Sequence, residues 1–358
     1  MNDQGPVLIA PLNWGLGHAT RCIPLIRSLR DLGQEVHIAS DGSALDLLSA
    51  EFPDLPTYAL PAYDVRYHRD NMIQAMAGQL PKIARAIRQE HRVTQQLIDR
   101  FHFRGIISDN RYGVRSKRVN SVVLCHQINI RVPNPAIQWA VRFGHRQFLR
   151  AFHEVWIPDF EHAPGLSGEL GHQTGLKSVR YLGPLTRFSS GGSQLKKRKV
   201  LAILSGPEPQ RSQLEALLTQ QILALDLSAM IVCGNTEKQE EEWLNPQVKR
   251  ISYLRAEHLQ TAIHDSELVV CRSGYSSLMD LKVLGKKALL IPTPGQTEQE
   301  YLAHNFAQEA GYVYQNQNAL NLPEGLAQLQ KQDAPKPLNA AQLYDQQRLL
   351  LQDWLANT

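Results

Sequence analysis

Two stretches of this 358-residue chain gather residue types that could do chemistry. The first is Asn13-Trp-Gly-Leu-Gly-His-Ala-Thr-Arg21, which directly follows the apolar run Val7-Leu-Ile-Ala-Pro. Gly15 and Gly17 permit close backbone approach at a strand-to-helix turn. The helix N-terminus behind them carries about half a positive charge, which suits a diphosphate. His18, at that helix start, has the pKa range of a general base. The same residues also describe a plain Gly-rich turn with an incidental His. The dinucleotide fingerprint G-x-G-x-x-G is not met, because its last position is Thr20, which counts against an NAD site.

The second stretch is Cys271-Arg-Ser-Gly-Tyr-Ser-Ser-Leu-Met-Asp280, followed by Leu290-Ile-Pro-Thr-Pro-Gly-Gln-Thr-Glu-Gln-Glu-Tyr. Ser273 and Gly274 would start a helix and offer backbone N–H groups to phosphate, and Arg272 adds a cation. Asp280, farther along that helix, is placed to accept hydrogen bonds from ribose hydroxyls. Gln296, Glu298 and Gln299 form a polar run suited to sugar hydroxyls. The alternative is an exposed polar loop with an N-cap at Ser273.

Both stretches follow apolar runs, and short apolar runs alternate with amphipathic stretches along the chain. That pattern predicts an α/β protein of parallel βαβ units. Strands are expected at Val7, Glu35, Gly105, Ser121 and Glu154, the last closing the first half, and in the second half at Val200, Ala229, Glu267 and Lys287. Helices are expected over Arg21–Leu32, Gln79–Arg100, Asn134–Phe152, Ser212–Leu225, Ser277–Leu284 and Tyr344–Leu355. The segment Tyr181 to Ser193, followed by Lys196-Lys-Arg-Lys, has the composition of a domain boundary. Three segments are therefore expected: 1–188, 189–340, and a closing helix in 341–358 that returns to the first. In such sheets ligands bind beyond the carboxyl ends of the strands.

Composition narrows the classes further. The chain is 43% hydrophobic with a net charge of +4, which excludes a disordered chain. No apolar run reaches the ~18–20 residues of a membrane span and the N-terminus lacks a signal-peptide pattern, so a cytoplasmic protein is expected. Cys22, Cys125, Cys233 and Cys271 are far apart and form no metal-ligand spacing, so reduced thiols in or near strands and no metal are expected.

The motifs together resemble those of GT-B glycosyltransferases of the family 28 type, similar to the lipid-linked N-acetylglucosamine transferase of peptidoglycan synthesis. The family's Gly-Gly-His loop is matched at Gly15-Leu-Gly-His18, its Cys-Arg-Ser-Gly motif at Cys271–Gly274, and its acidic ribose ligand at Asp280. The following Gln-Gln pair corresponds to Gln299 and Glu300. An acceptor-side His-Glu-Gln-Asn segment is echoed by His126-Gln-Ile-Asn129, and an interdomain segment by Gly183-Pro-Leu-Thr-Arg187. The family's Gly-Gly-Ser-Gln-Gly loop is replaced by Ser205-Gly-Pro-Glu-Pro-Gln-Arg211.

The resemblance implies two Rossmann-like domains facing across a cleft. It implies inverting transfer from a nucleotide sugar, UDP-linked, with no cofactor beyond that substrate. It assigns His18 as base, His126 and Asn129 to the acceptor side, and Arg187, Ser205, Gly206, Arg211, Tyr253 and Leu254 to the donor side with the residues above. Asp109, after the run Ile106-Ile-Ser, either orients His18 as a buried carboxylate or forms a turn before Asn110.

Charge is uneven. Lys82 to Arg150 holds 14 basic and 3 acidic residues. On a helical wheel started at Ile137, Val141, Phe148 and Phe152 form the core face. Arg142, Arg146 and Arg150 lie opposite, with Trp139 and Phe143 among them. Basic residues interleaved with aromatics suit an anionic membrane surface over 82–152; a solvated basic face is the plainer reading. Nucleic acid is not the expected partner, since no nucleic-acid-binding motif accompanies the charge. Gly15 to Cys22 also resembles nucleotide-sugar hydrolases, and GT-B epimerases share the architecture. His37, His91 and His172 are expected to face solvent or to be satisfied locally, and Glu240-Glu-Glu to form a solvated acidic turn.

Overall fold

The run Val7-Leu-Ile-Ala-Pro becomes β1 (Val7–Pro11), buried at every residue, as a strand covered by helices on both faces should be. The computed structural model describes residues 5–63, 72–132, 134–188, 198–235 and 240–358. After β1 come α1 (Leu16–Asp31), β2 (Val36–Ser40), α2 (Gly42–Glu51), β3 (Thr57–Ala59), α3 (Met72–Phe101), β4 (Gly105–Asp109) and β5 (Asn120–Leu124). Then follow α4 (Pro135–Leu149), β6 (Glu154–Ile157) and β7 (Val179–Tyr181). These strands form one parallel sheet in the order β3-β2-β1-β4-β5-β6-β7. The winding reverses between β1 and β4, so the loops leaving those two strands open a crevice at their carboxyl ends. Val7 to Pro11 pairs in register with Gly105 to Asp109, which sets the β1 loop beside Asp109.

The second sheet is built from β8 (Arg198–Ile203), α5 (Gln210–Leu223), β9 (Ala229–Val232), β10 (Glu241–Asn245), β11 (Val248–Ile251), α6 (Ala256–His264) and β12 (Ser266–Cys271). It continues through α7 (Tyr275–Leu284), β13 (Ala288–Leu290), α8 (Thr297–Phe306), β14 (Tyr312–Tyr314) and α9 (Leu322–Gln330). Its order is β10-β11-β9-β8-β12-β13-β14, parallel except for the β10–β11 pair. The reversal here lies between β8 and β12. The last helix, α10 (Ala340–Ala356), rejoins the first sheet, and the chain divides into one unit of Met1–Thr186 with Ala341–Thr358 and another of Arg187–Ala340. Among the described residues no helix is long and apolar enough to cross a membrane. The Gly/Ser and Lys-rich boundary segment falls mostly on residues 189–197, outside the described residues.

Several expectations need correction. Glu154–Ile157 does not close its half, because the short strand β7 pairs beyond it. Glu241 and Glu242 stand not in a turn but on the antiparallel edge strand β10, opposite Ile251 and Arg250. Cys22 is buried in α1 rather than in or near a strand. In α4 the buried side chains are His145 and Leu149, while Ile137 and Phe148 are exposed, so the core face sits to one side of the expected stripe. The reason is polar: this helix packs on a loop whose carbonyls need donors, and arginines and a histidine supply them better than a Phe would.

The basic block is also not one surface. Arg111 is fully buried, its Nε donating to Glu90 Oε1 at 2.5 Å and an Nη to Asp41 Oδ1 at 2.6 Å. Glu90, in the middle of α3, accepts further from the Tyr63 hydroxyl at 2.8 Å and the Gly113 amide at 2.7 Å. The pair fixes α3 to the loop after β4.

Candidate active site

In the first unit the carboxyl ends of β1, β4 and β5 bring four side chains together. Gly15, at φ 77°, is the N-cap of α1 and a Cβ there would meet nothing within 4 Å, so the first turn of the helix is open. Helix α1 begins at Leu16, five residues before the expected Arg21, so His18, Arg21 and Cys22 share one helical face. His18 Nδ1 lies 2.9 Å from Asp109 Oδ1, and Arg21 Nε donates to Asp109 Oδ2 at 2.6 Å. An Arg21 Nη bonds the same Asp109 Oδ1. The 3.0 Å approach of that nitrogen to His18 Nδ1 follows because both donors converge on one oxygen. A carboxylate facing Nδ1 selects the tautomer with the proton there, which leaves the lone pair on Nε2.

Electrostatics agree with that assignment. Burial alone would raise the Asp109 pKa, but the Arg21 guanidinium, His18 and their hydrogen bonds bring it down to about 2. Asp109 is therefore ionised at every working pH. Burial pushes the His18 pKa below its ordinary value, more than the Asp109 charge lifts it, so the imidazole is neutral near pH 7. Its side chain keeps 15% exposure, so the ring is reachable from outside. Burial and the Asp109 charge push the Cys22 thiol well up, which makes it a poor nucleophile.

His126 Nδ1 sits 2.9 Å from another Arg21 nitrogen and so accepts from it. Asn129 is fully engaged. Its Nδ2 donates to the carbonyls of Glu169 at 2.9 Å and His172 at 2.7 Å, and its Oδ1 accepts from Arg146 at 3.0 Å. It shapes the loop rather than presenting a free amide. Arg21 is the residue that sequence reading missed; its spacing of three from His18 was the available signal.

In the second unit most of the expected donor-side residues follow carboxyl ends of parallel strands; Arg187 precedes β8 and Arg211 lies in α5. Ser205 and Gly206 follow β8, Tyr253 and Leu254 follow β11, Arg272 to Gly274 follow β12, and Gln296 to Gln299 follow β13. Gly274 is the N-cap of α7 and a Cβ there meets nothing within 4 Å, so this helix start is open as well. Asp280 lies in the second turn of α7, half-buried. The Ser273 hydroxyl donates to the Gln299 carbonyl at 2.8 Å, and the Gln299 side chain joins the Thr293 amide (2.9 Å) to Gln296 Oε1 (2.6 Å). Glu298 is half-buried in the first turn of α8. Arg187 lies over the Phe188 ring at 5.0 Å.

Two of the expected donor-side arginines already have protein partners. Arg211 is held by Glu208 at 2.6 Å and Glu215 at 2.8 Å, so its charge is already compensated. Arg272 is fully buried and donates only to uncharged oxygens: the carbonyls of Ile291 and Pro292 (both 3.2 Å) and Gln210 (3.0 Å), and Gln317 Oε1 (2.7 Å). Burial brings its pKa down to about 10. Its Nε and the Thr293 hydroxyl are buried without a partner, and a Cβ on Gly206 (φ +110°) would stand 3.9 and 3.6 Å from them. A bare glycine beside a buried cation and an unmatched hydroxyl suits an anionic or hydroxylated ligand. Among the described residues no group of three His, Cys, Asp or Glu side chains converges as metal ligands.

Residues 191–351 match the model of the glycosyltransferase family 28 C-terminal domain. No curated protein matches the chain. Solved structures with the GT-B fold align over nearly its whole length. The spinosyn rhamnosyltransferase SpnG is 16% identical, with 98% of this chain and 99% of that chain covered and a TM-score of 0.64. It has also been solved with thymidine diphosphate. MurG of Acinetobacter baumannii is 13% identical, with 97% and 95% covered and a TM-score of 0.53. UGT89C1 of Arabidopsis thaliana, complexed with UDP-L-rhamnose, is 13% identical, with 99% and 95% covered and a TM-score of 0.60.

Proposed function

Starting from a chain that has the GT-B fold and is a glycosyltransferase of the family 28 type by its residues 191–351, we propose that it transfers a sugar from a UDP-linked donor with inversion at the anomeric carbon. The observation that carries this reading is the His18–Asp109–Arg21 constellation at the β1/β4 reversal. Unit one supplies the base. His18 Nε2 takes the proton of an acceptor hydroxyl while that oxygen bonds the anomeric carbon and the bond from that carbon to the diphosphate oxygen breaks. Asp109, holding Nδ1–H, stabilises the imidazolium as it forms. Arg21 keeps Asp109 ionised.

Unit two holds the donor in this proposal. The α7 N-terminus at Ser273 and Gly274 meets the diphosphate, and the charge it gains on leaving is met by N–H groups already in place. Asp280 accepts from the ribose, and Gln296 and Glu298 face sugar hydroxyls. The relatives solved with thymidine diphosphate and UDP-L-rhamnose support a nucleotide donor. Excess positive charge around α3 and α4 supports an acceptor that is anionic or carried on a membrane, which makes the enzyme a peripheral protein of the cytoplasmic face.

The test is a thermal-shift screen of nucleotides and nucleotide sugars with wild type and His18→Ala. UDP is expected to raise the Tm of both, while transfer in the variant falls by about 10²–10⁴. Stoichiometric free sugar from donor without acceptor would instead mean a hydrolase, and near-normal transfer by His18→Ala would remove His18 as base.

A further inference from the structure

Helix α4 has two unlike faces. Outward, Trp139 is 71% and Phe143 54% exposed, their rings stacked at 5.7 Å and 14°. They line a groove of about 380 Å³ with Arg142, Arg146 and Arg150. Among the described residues no carboxylate pairs with these three arginines, and Arg146 Nε is buried without a partner. Ile137 and Phe148, also exposed, lie on the other flank of the helix, away from this groove. Uncompensated arginines around stacked aromatics match the phosphates and the amphipathic boundary of an anionic bilayer better than they match water.

Inward, the same helix grips three consecutive residues of the β5–α4 loop. Arg142 Nε donates to the Ile130 carbonyl at 3.0 Å, Arg146 to Asn129 Oδ1 at 3.0 Å, and His145 Nδ1 to the Ile128 carbonyl at 3.3 Å. His145 Nε2 takes the Tyr112 hydroxyl at 2.9 Å, which fixes its tautomer. The loop begins at His126, which accepts from the Arg21 that holds Asp109. Arg142 and Arg146 therefore belong to both faces at once.

We propose that α4 docks on the headgroup layer of an anionic bilayer through Trp139, Phe143 and the Arg142/Arg146/Arg150 row, and that docking orders the His126–Ile130 loop beside the candidate base. Lipid phosphates on Arg142 and Arg146 hold the two guanidiniums in the positions that bond Ile130 and Asn129, so the loop is most ordered when the helix is docked. This deepens the membrane-borne acceptor reading and rests on it.

The test uses the full chain with vesicles of phosphatidylcholine alone or mixed with phosphatidylglycerol, read by co-sedimentation and amide hydrogen exchange. Binding is expected only to the anionic vesicles and should be lost at high salt. Exchange of the 126–131 peptide should slow severalfold on binding. Trp139→Ser with Phe143→Ser should cut binding at least tenfold and keep the UDP-induced Tm shift, since both side chains are exposed. Three outcomes overturn the proposal: no anionic-vesicle binding, unchanged binding by the double variant, or binding without slower exchange at 126–131. Inorganic phosphate alone slowing that peptide to the same degree also overturns it, in favour of a soluble-anion site. A wild type with a UDP shift but no vesicle binding loses this proposal alone; no shift with any nucleotide removes the donor reading instead.

Discussion

At the scale of single residues, the His18–Asp109 contact predicts a pH profile. Burial sets the His18 pKa below its ordinary 6.5, so the base is neutral at pH 7 and is lost only as pH falls through that lower value. The acid limb of kcat/KM is therefore expected below pH 6.5; a limb centred at 7 or above would contradict the assignment. Asp109 raises the His18 pKa, so Asp109→Asn should move the limb to still lower pH while lowering the rate. The same change strands the buried Arg21 charge, and breaking such a pair costs about 3–5 kcal/mol, visible as a lower Tm. Thr293 gives the opposite split. Its buried hydroxyl has no partner, so Thr293→Val should leave stability unchanged or raise it by about 1 kcal/mol, yet shrink the Tm shift that UDP produces. A loss of stability with an undiminished UDP shift would show that the hydroxyl serves the fold.

At the scale of elements, Asp280 depends on the start of α7. In the proposed donor site, the open helix start at Gly274 would meet the phosphate and the carboxylate one turn and a half later the ribose, both on one rigid helix. Asp280→Ala is expected to abolish the UDP-induced Tm shift while the unliganded protein still unfolds cooperatively; an unchanged shift would place the ribose elsewhere. Helices and strands carrying the chemistry were legible because parallel sheets bury β1, β4, β8 and β12 as largely apolar runs, with Gly15 and Gly274 at the starts of α1 and α7. The site was legible as residue types after those strands. What escaped were pieces with weak patterns: three-residue strands such as β3 and β7, and the charged edge strand β10, whose Glu241 and Glu242 are there because an edge faces water. Buried arginines escaped too: nothing in the sequence marks Arg21 and Arg111 as buried, because their partners come from distant segments, and Arg272, read as a cation for phosphate, is buried among uncharged oxygens. The wheel drawn for α4 failed for the same reason.

At the scale of the whole molecule, the segment matched as family 28 C-terminal domain and the folded unit do not end at the same place. The match runs to residue 351, whereas Ala341–Thr358 belongs with Met1–Thr186. Trp354 of α10 is buried with its ring 5.3 Å from Trp156 in a T-shaped pair, and any side chain at Gly105 would collide with it. Gln347 donates to the Pro184 carbonyl at 3.0 Å, the Tyr344 hydroxyl to Asp31 at 2.6 Å, and Arg104 to the Thr358 hydroxyl at 3.1 Å. The C-terminal helix is thus a structural part of the unit that holds His18 and Asp109, although it is sequentially continuous with the unit that holds the α7 N-terminus. Trp354→Ala should then cost about 3–5 kcal/mol in the first unit. Its indole nitrogen is buried without a partner, so Trp354→Phe should cost much less. Calorimetry of Trp354→Ala is expected to show the unfolding of the first unit lowered and the UDP-stabilised transition of the second retained. An equal fall of both transitions, or loss of the UDP shift, would mean that α10 supports the second unit instead.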